Sequence, residues 1–233
     1  MSSWEEIWSR RAFDRSHGDT LRSLLEADGF DTGFGSMTNE SWIAFVRSIE
    51  RLLCLEPPAS VYEIGCGAGA FLFDLAARGY RVAGCDRSAT LIGYAREVLP
   101  QGRFAVAEAA DVPCDERSDA VVSCGVFLYF PSLDYASAVI GRMARKARSA
   151  VALLDLPDLA LKERADEHRR AALGGTERYE ARYARLAHLA YDRSWVARTL
   201  EAAGLTGVQV ADQSIGGYDN GAFRFNAWGF RRG

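Results

Sequence analysis

The chain is poor in lysine: among its 28 basic residues only Lys146 and Lys162 are lysines. It also has few histidines, three in 233 residues (His17, His168 and His188), which leaves little scope for a histidine-rich metal centre. Its five cysteines, Cys54, Cys66, Cys85, Cys114 and Cys124, are odd in number and form no CxxC pair. A disulfide framework or a structural zinc site is therefore not expected. No apolar run approaches the roughly 20 residues of a membrane helix. The start, Met1-Ser-Ser-Trp-Glu-Glu, has no apolar signal core, so a cytoplasmic protein without membrane association is expected. A net charge of -3 also argues against a nucleic-acid partner, which usually faces a basic surface. Oligomeric state is not legible.

What is present is hydrophobic residue, 48% of the chain, enough for a sizeable core, and 233 residues fit one large α/β domain. From about Ser60 the chain alternates. Apolar segments at Ser60–Ile64, Arg81–Cys85, Gly102–Ala107, Asp119–Cys124 and Ser149–Leu154 predict strands. Ala70–Arg78, Ser88–Leu99 and Asp134–Lys146 predict intervening helices. Such alternation builds a mainly parallel sheet covered by helices. Two helices are expected before it, at residues 4–13 and from Ser36 or Thr38 to about Leu55, with a glycine-bearing loop at Asp28–Gly35 between them. Residues 158–190 break the rhythm as two polar helices hinged at Gly174-Gly175. A helix at Ser194–Ala203 and strands at Thr206–Ala211 and Ala222–Phe230 follow. So few residues join these two strands that they should pair antiparallel. The expected organisation is an N-terminal helical cap (1–56), a cofactor-binding core (57–157), a helical insertion acting as lid (158–191) and a terminal helix with a strand pair (192–233).

Chemistry concentrates at the first strand's end, Glu63-Ile64-Gly65-Cys66-Gly67-Ala68-Gly69. Glycines there allow a tight turn and close backbone approach to a ligand, and N–H groups at a helix start favour a polar or anionic group. Alone, Gly65-x-Gly67-x-x-Ala70 also suits a dinucleotide. Three acids tilt the balance. Glu63 can bind a cationic amine. Asp86, ending the second strand, can accept from two ribose hydroxyls. Glu108-Ala109, after the third strand, can take an adenine amino group. These features together point to S-adenosylmethionine.

With Val61-Tyr-Glu-Ile-Gly-Cys-Gly-Ala-Gly, Val82-Ala-Gly-Cys-Asp-Arg-Ser, Ala107-Glu-Ala-Ala-Asp-Val-Pro and Asp119-Ala-Val-Val-Ser-Cys-Gly-Val-Phe in order, the chain resembles class I S-adenosylmethionine-dependent methyltransferases, particularly the small-molecule group. The resemblance covers roughly residues 36–156. It implies a Rossmann-like seven-stranded sheet with the last strand antiparallel. It also implies that Glu63, Gly65 and Gly67 line the methionine part and that Asp86 holds the ribose, with Cys66 and Arg87 also at the cofactor. Leu91 would pack on the adenine or ribose, Glu108 and Ala109 would fix the adenine edge, and the Cys124 carbonyl would face the ammonium. Trp4-Glu-Glu-Ile-Trp8 is similar to the tryptophan-bearing lid of some relatives, which places Trp8 over the cofactor. Many relatives carry histidine in the stretch after the fourth strand. Leu128 and Tyr129 stand there instead.

The acceptor side is left to a few residues. Tyr129 and His188 are the candidate catalytic pair, a base or substrate ligands. Asp155, Tyr218, Asn220, Arg224 and Asn226 are further candidates. His168 is expected on a solvated helix face, and Tyr179, Tyr183 and Tyr191 under the insertion. The expected activity is methyl transfer to a small molecule, with oxygen favoured over nitrogen or carbon and no metal. One rival is a nicotinamide-dependent oxidoreductase, although neither lysine has tyrosine four residues before it. The other is a non-catalytic binding module.

Overall fold

The computed structural model describes residues 4–14, 16, 18–30, 35–183, 186 and 188–232, with the side chains of 5, 6, 9, 182 and 183 excepted. His17 and the side chain of Tyr183 lie outside the described residues.

Seven strands form one sheet: β1 (Ser60–Ile64), β2 (Arg81–Asp86), β3 (Arg103–Val106), β4 (Ser118–Cys124), β5 (Ala147–Pro157), β6 (Leu205–Asp212) and β7 (Arg224–Arg231), in the order β3-β2-β1-β4-β5-β7-β6. The pairs among β1–β5 are parallel, while β7 runs antiparallel to both β5 and β6. The Rossmann-like arrangement with an antiparallel last strand is thus as expected. From β1 the chain winds outward to β3, then returns across β1 to β4. The carboxyl ends of β1 and β4 therefore open a crevice where the winding reverses, the usual ligand position in such sheets.

Helices α3 (Asn39–Leu52), α4 (Ala70–Ala77) and α5 (Ala89–Val98) cover one face, and α6 (Leu133–Lys146) and α9 (Arg193–Ala202) the other. The strands alternate to feed both layers. Ala120 and Val122 of β4 join Trp42, Phe45 and Ile92 in one core, and Val121 joins Ile140, Met143 and Val196 in the other. On β7 the same period sends Trp228 to the first core and Phe225 and Ala227 to the second. Side chains such as Trp42, 1% exposed, each stabilise the fold by about 1.5–3 kcal/mol through burial. Cys66, Cys85 and Cys124 are buried free thiols whose pKa is raised by burial, consistent with packing as small apolar residues.

The N-terminal region departs from expectation. The first helix, α1, covers only Trp4–Ser9, and a further helix, α2 (Thr20–Ala27), stands where none was expected. The Asp19 carboxylate caps it by accepting from the Arg22 N–H at 3.0 Å, and Leu21, Leu24 and Leu25 are buried beneath it. Helix α3 stops at Leu52, short of the Pro57-Pro58 pair, and Cys54 has φ +52°. The insertion forms α7 (Lys162–Ala172) and α8 (Thr176–Tyr183), separated by Gly174 and Gly175 with φ +79° and +123°. Among the described residues no helix is long and apolar enough to cross a membrane.

Candidate active site

The loop after β1 turns back on the sheet. The Gly65 and Cys66 N–H groups both donate to the Cys85 carbonyl, at 2.7 and 2.9 Å. Gly65, Gly67 and Gly69 have φ +73°, +52° and +98°, a left-handed run that only glycine adopts without strain. Gly65 and Gly67 border a cavity of about 620 Å³ at the crevice.

Three carboxylates meet around this loop. Asp86 Oδ2 accepts from the Gly67 N–H at 3.1 Å, and its Oδ1 accepts from the Ser88 N–H at 2.8 Å. Asp28, just past α2, accepts from the N–H groups of Ala68 at 2.5 Å and Ala70 at 3.1 Å, so an acid of the chain itself occupies the start of α4. Glu63 is 3% exposed, and its Oε2 is buried without a hydrogen-bond partner. Burial, with Asp28 and Asp86 close by, pushes the Glu63 carboxyl well above the usual carboxylate range. Burial likewise raises Asp86, and it lifts Asp28 to about 7 against the pull of its two backbone hydrogen bonds. Crowded acids with an orphaned oxygen are a poor place for an anion and a good one for a buried cation.

At the other end of the cavity, Leu91 is buried beneath it, and Arg87 Nε stands 3.5 Å from Glu108 Oε1. The Tyr135 hydroxyl donates to Glu108 Oε2 at 3.0 Å. Ala109 completes this lining, Cys124 borders the cavity on the side of Glu63 and Asp28, and Trp8 lines it from the N-terminal side. Every residue expected at the cofactor therefore borders one cavity.

A second cavity of about 340 Å³ adjoins the first, and Trp4, Trp8, Asp28, Phe30, Gly125 and Tyr129 border both. Tyr129 thus stands where the two meet. His188 borders the second cavity and a third of about 420 Å³, but not the first. Its ring stacks on Trp4 at 4.9 Å between centroids and lies 5.7 Å from Tyr129, while Trp4 meets Tyr129 edge-on at 4.6 Å. Burial first, then the nearby cations Arg169 and Arg224, hold the His188 pKa down to about 3, so the imidazole is neutral.

The remaining candidates sort themselves. Asp155, with φ +59°, is buried beside the second cavity, where Gln213 Nε2 donates to it at 3.0 Å and the Tyr218 hydroxyl at 3.2 Å. It does not cap the segment that follows; Asp158 does, by accepting from the Ala160 N–H at 3.0 Å. Asn226 Oδ1 accepts from the Asp155 N–H at 2.9 Å, which makes Asn226 a support rather than a lining residue. Asn220 and Arg224 do border the second cavity. Tyr191 is fully buried and donates to the Phe127 carbonyl at 2.8 Å. His168 is half-buried, packed 5.3 Å from the Phe223 ring, rather than on a solvated face. The sequence reading missed Asp28, Tyr135 and Arg169. Only Asp28 left a signal, the cap and leucine spacing of α2 just before it.

Residues 61–150 match a family model described as a methyltransferase domain. Over 118 residues the chain is 30% identical to trans-aconitate 2-methyltransferase of Variovorax paradoxus (strain S110), a match that covers 48% of this chain and 45% of that protein. The chain therefore spans less than half the length of that curated relative. Among solved structures, the N-methyltransferase NodS of Bradyrhizobium japonicum WM9, in complex with S-adenosyl-L-homocysteine, superposes with a TM-score of 0.64 at 16% identity over all of both chains. Magnesium protoporphyrin IX methyltransferase of Synechocystis PCC 6803, with bound SAM, gives a TM-score of 0.59 at 18% identity over 97% of this chain and 90% of that one. At these identities the likeness is one of fold.

Proposed function

We propose that the chain is a class I S-adenosylmethionine-dependent methyltransferase that moves the methyl group of S-adenosylmethionine onto a small-molecule acceptor. The observation that carries this is the buried, unpartnered Oε2 of Glu63 in the 620 Å³ cavity, flanked by Asp28 and Asp86. An amino-acid ammonium is the partner that oxygen lacks. Glu63 and the Cys124 carbonyl would hold it, with Gly65, Cys66 and Gly67 against the methionine backbone. Asp86, beside Arg87, would take the ribose hydroxyls. Leu91 would support the adenine, Glu108 and Ala109 its edge, and Trp8 would close the roof. The same acids, and the occupied N–H groups at the start of α4, would repel the pyrophosphate of a nicotinamide dinucleotide, so we set that rival aside.

When bound, the cofactor supplies an electrophilic methyl on a sulfonium. The chain's task is then alignment and exclusion of water, which account for much of the acceleration in such a displacement. Tyr129, at the junction of the cavities, is our candidate for orienting the acceptor. His188, neutral and one ring away, is a weak proton acceptor whose part is to shape the acceptor's seat with Tyr129. We favour an oxygen acceptor because the second cavity is small and a base poised near neutrality would not then be required for an ionised oxygen. The relatives' names state different acceptors, so the cavity, not the likeness, supports this choice.

Calorimetry with S-adenosylhomocysteine tests the reading. We expect micromolar binding, weakened at least about tenfold by Asp86→Ala through loss of charge-assisted bonds. An intact, folded chain that shows no binding would end it.

A further inference from the structure

The second cavity has its own charge pattern. Arg224 and Arg169 both border it, and both also border the third cavity, but neither borders the first. They therefore lie at the end of the second cavity away from the glycine loop. Arg224 is 5% exposed, and its side chain donates to the main-chain carbonyl of Asp155 at 3.4 Å, a long bond to an uncharged acceptor. Asp155's own carboxylate is already engaged by Gln213 and Tyr218, and it balances Arg224 only across space. Arg169 Nη2 pairs with Asp166 at 2.6 Å, yet its Nε is buried without a hydrogen-bond partner. The other acid bordering the cavity, Asp28, is tied to the glycine loop. Arg11, also on its border, adds a further cation, and its Nη1 donates to the Glu26 carbonyl at 3.4 Å. At the adjacent His188, burial foremost and then Arg169 and Arg224 disfavour protonation, against the pull of Asp166.

A guanidinium buried with so few charge-assisted bonds is costly unless a ligand completes it. Its planar fork matches the two oxygens of a carboxylate. Trp4, Phe30, Leu128 and Tyr129 form the aromatic and apolar part of the remaining wall, beside the polar Tyr218 and Asn220. We infer that the methyl acceptor is a small, largely apolar carboxylic acid whose carboxylate is anchored by Arg224 and Arg169, leaving its other end toward Tyr129 and the first cavity. That the bound acid is the acceptor rests on the methyltransferase reading, but the anion seat itself does not. Arg224 and Arg169 are positioning residues here, since they hold the end of the molecule remote from the methyl donor.

The test measures binding of benzoate, trans-cinnamate and fumarate beside their neutral amides, with and without saturating S-adenosylhomocysteine. Acids should bind at least about tenfold tighter than amides, because one charge-assisted bidentate pair is at stake. Arg224→Gln should abolish that preference and Arg224→Lys should keep part of it. Arg169→Gln, at a less buried position, should reduce it independently should the Arg224 variants fail to fold. Affinity for S-adenosylhomocysteine should not change in any folded variant. Acids and amides binding alike, a preference that survives both glutamine variants, or no binding by any probe overturns the proposal. A preference for acids without binding of S-adenosylhomocysteine would uphold the anion seat and sink the methyltransferase reading instead.

Discussion

Asp28 presses so closely on Gly67 that a methyl group placed on the glycine would overlap its Oδ1. A segment far upstream thereby locks onto the cofactor loop at Gly67, whose φ is +52°. Gly67→Ala should destabilise the protein by about 1–3 kcal/mol through strain and displacement of Asp28, and should abolish S-adenosylhomocysteine binding. Gly93→Ala is the matching control. Gly93 is exposed in α5 with open space around its Cα, and the change should stabilise by about 0.5–1 kcal/mol without altering binding. Thermal melts and calorimetry on both variants decide it; equal melting points would show that Asp28 yields freely.

The three acids predict opposite pH trends for stability and binding. Asp28 rises from 3.8 to about 7 on folding. The folded chain therefore keeps a proton that the unfolded chain releases between about pH 4 and 7. This destabilisation is absent below 4 and complete above 7, where it is on the order of a few kcal/mol. Melting temperature of the free protein should fall as pH rises through that window. His188, lowered to about 3, pulls the other way between 6.5 and 3, so Asp28→Asn is needed to expose the acid's part. Ligand affinity should instead rise with pH up to about 7, by at most about tenfold for each pH step of one, as expected for one proton released. A flat affinity profile from pH 5.5 to 8 would show that the acids do not meet the ammonium.

How this site is distributed along the chain explains what could be read beforehand. The glycine loop, Asp86 and Glu108 sit at strand ends, so local pattern places them on one edge of the sheet. Asp28 also had a local signal: Asp19 as cap and leucines at 21, 24 and 25 describe α2, with Asp28 just beyond its last turn. The glycines that follow place Asp28 itself at the start of a loop, Asp28–Gly35, where an acid carries no particular role. Arg169 and Tyr135 had no such signal. Each lies on a helix whose docking angle is set by packing with distant elements, and only that packing turns the side chain to a cavity. His188 shows the same limit. Its segment points to the sheet, but its separation from the cofactor cavity follows from how the insertion folds back.

The contact of Trp4 with Tyr129 and His188 ties α1 to the acceptor side. An aromatic pair of this kind contributes about 0.5–1.5 kcal/mol beyond burial. Trp4→Ala should raise the acceptor KM several-fold, weaken S-adenosylhomocysteine less, and leave the melting temperature within a few degrees. Trp4→Phe should restore most of the loss. His188→Phe should preserve the stack and, because the imidazole is neutral, leave the pH profile above 5 unchanged. A lost ionisation in that profile would mean that His188 titrates during turnover.

Glu63→Gln separates a group kept for binding from one kept for stability. Its buried carboxyl has an unpartnered oxygen and two acids as neighbours, so in the free protein it is a burden wherever it ionises. The glutamine has nearly the same shape and no charge. It should raise the melting temperature at pH 8, and the gain should shrink toward pH 5, because burial holds the folded carboxyl well above the ordinary carboxylate range that the unfolded chain keeps. Affinity for S-adenosylhomocysteine should fall at least about tenfold at pH 8, because the ammonium loses its closest counter-charge. Opposite signs for stability and binding mark a site whose strain is relieved by its ligand. Were both to fall together, Glu63 would be holding the loop rather than the cofactor.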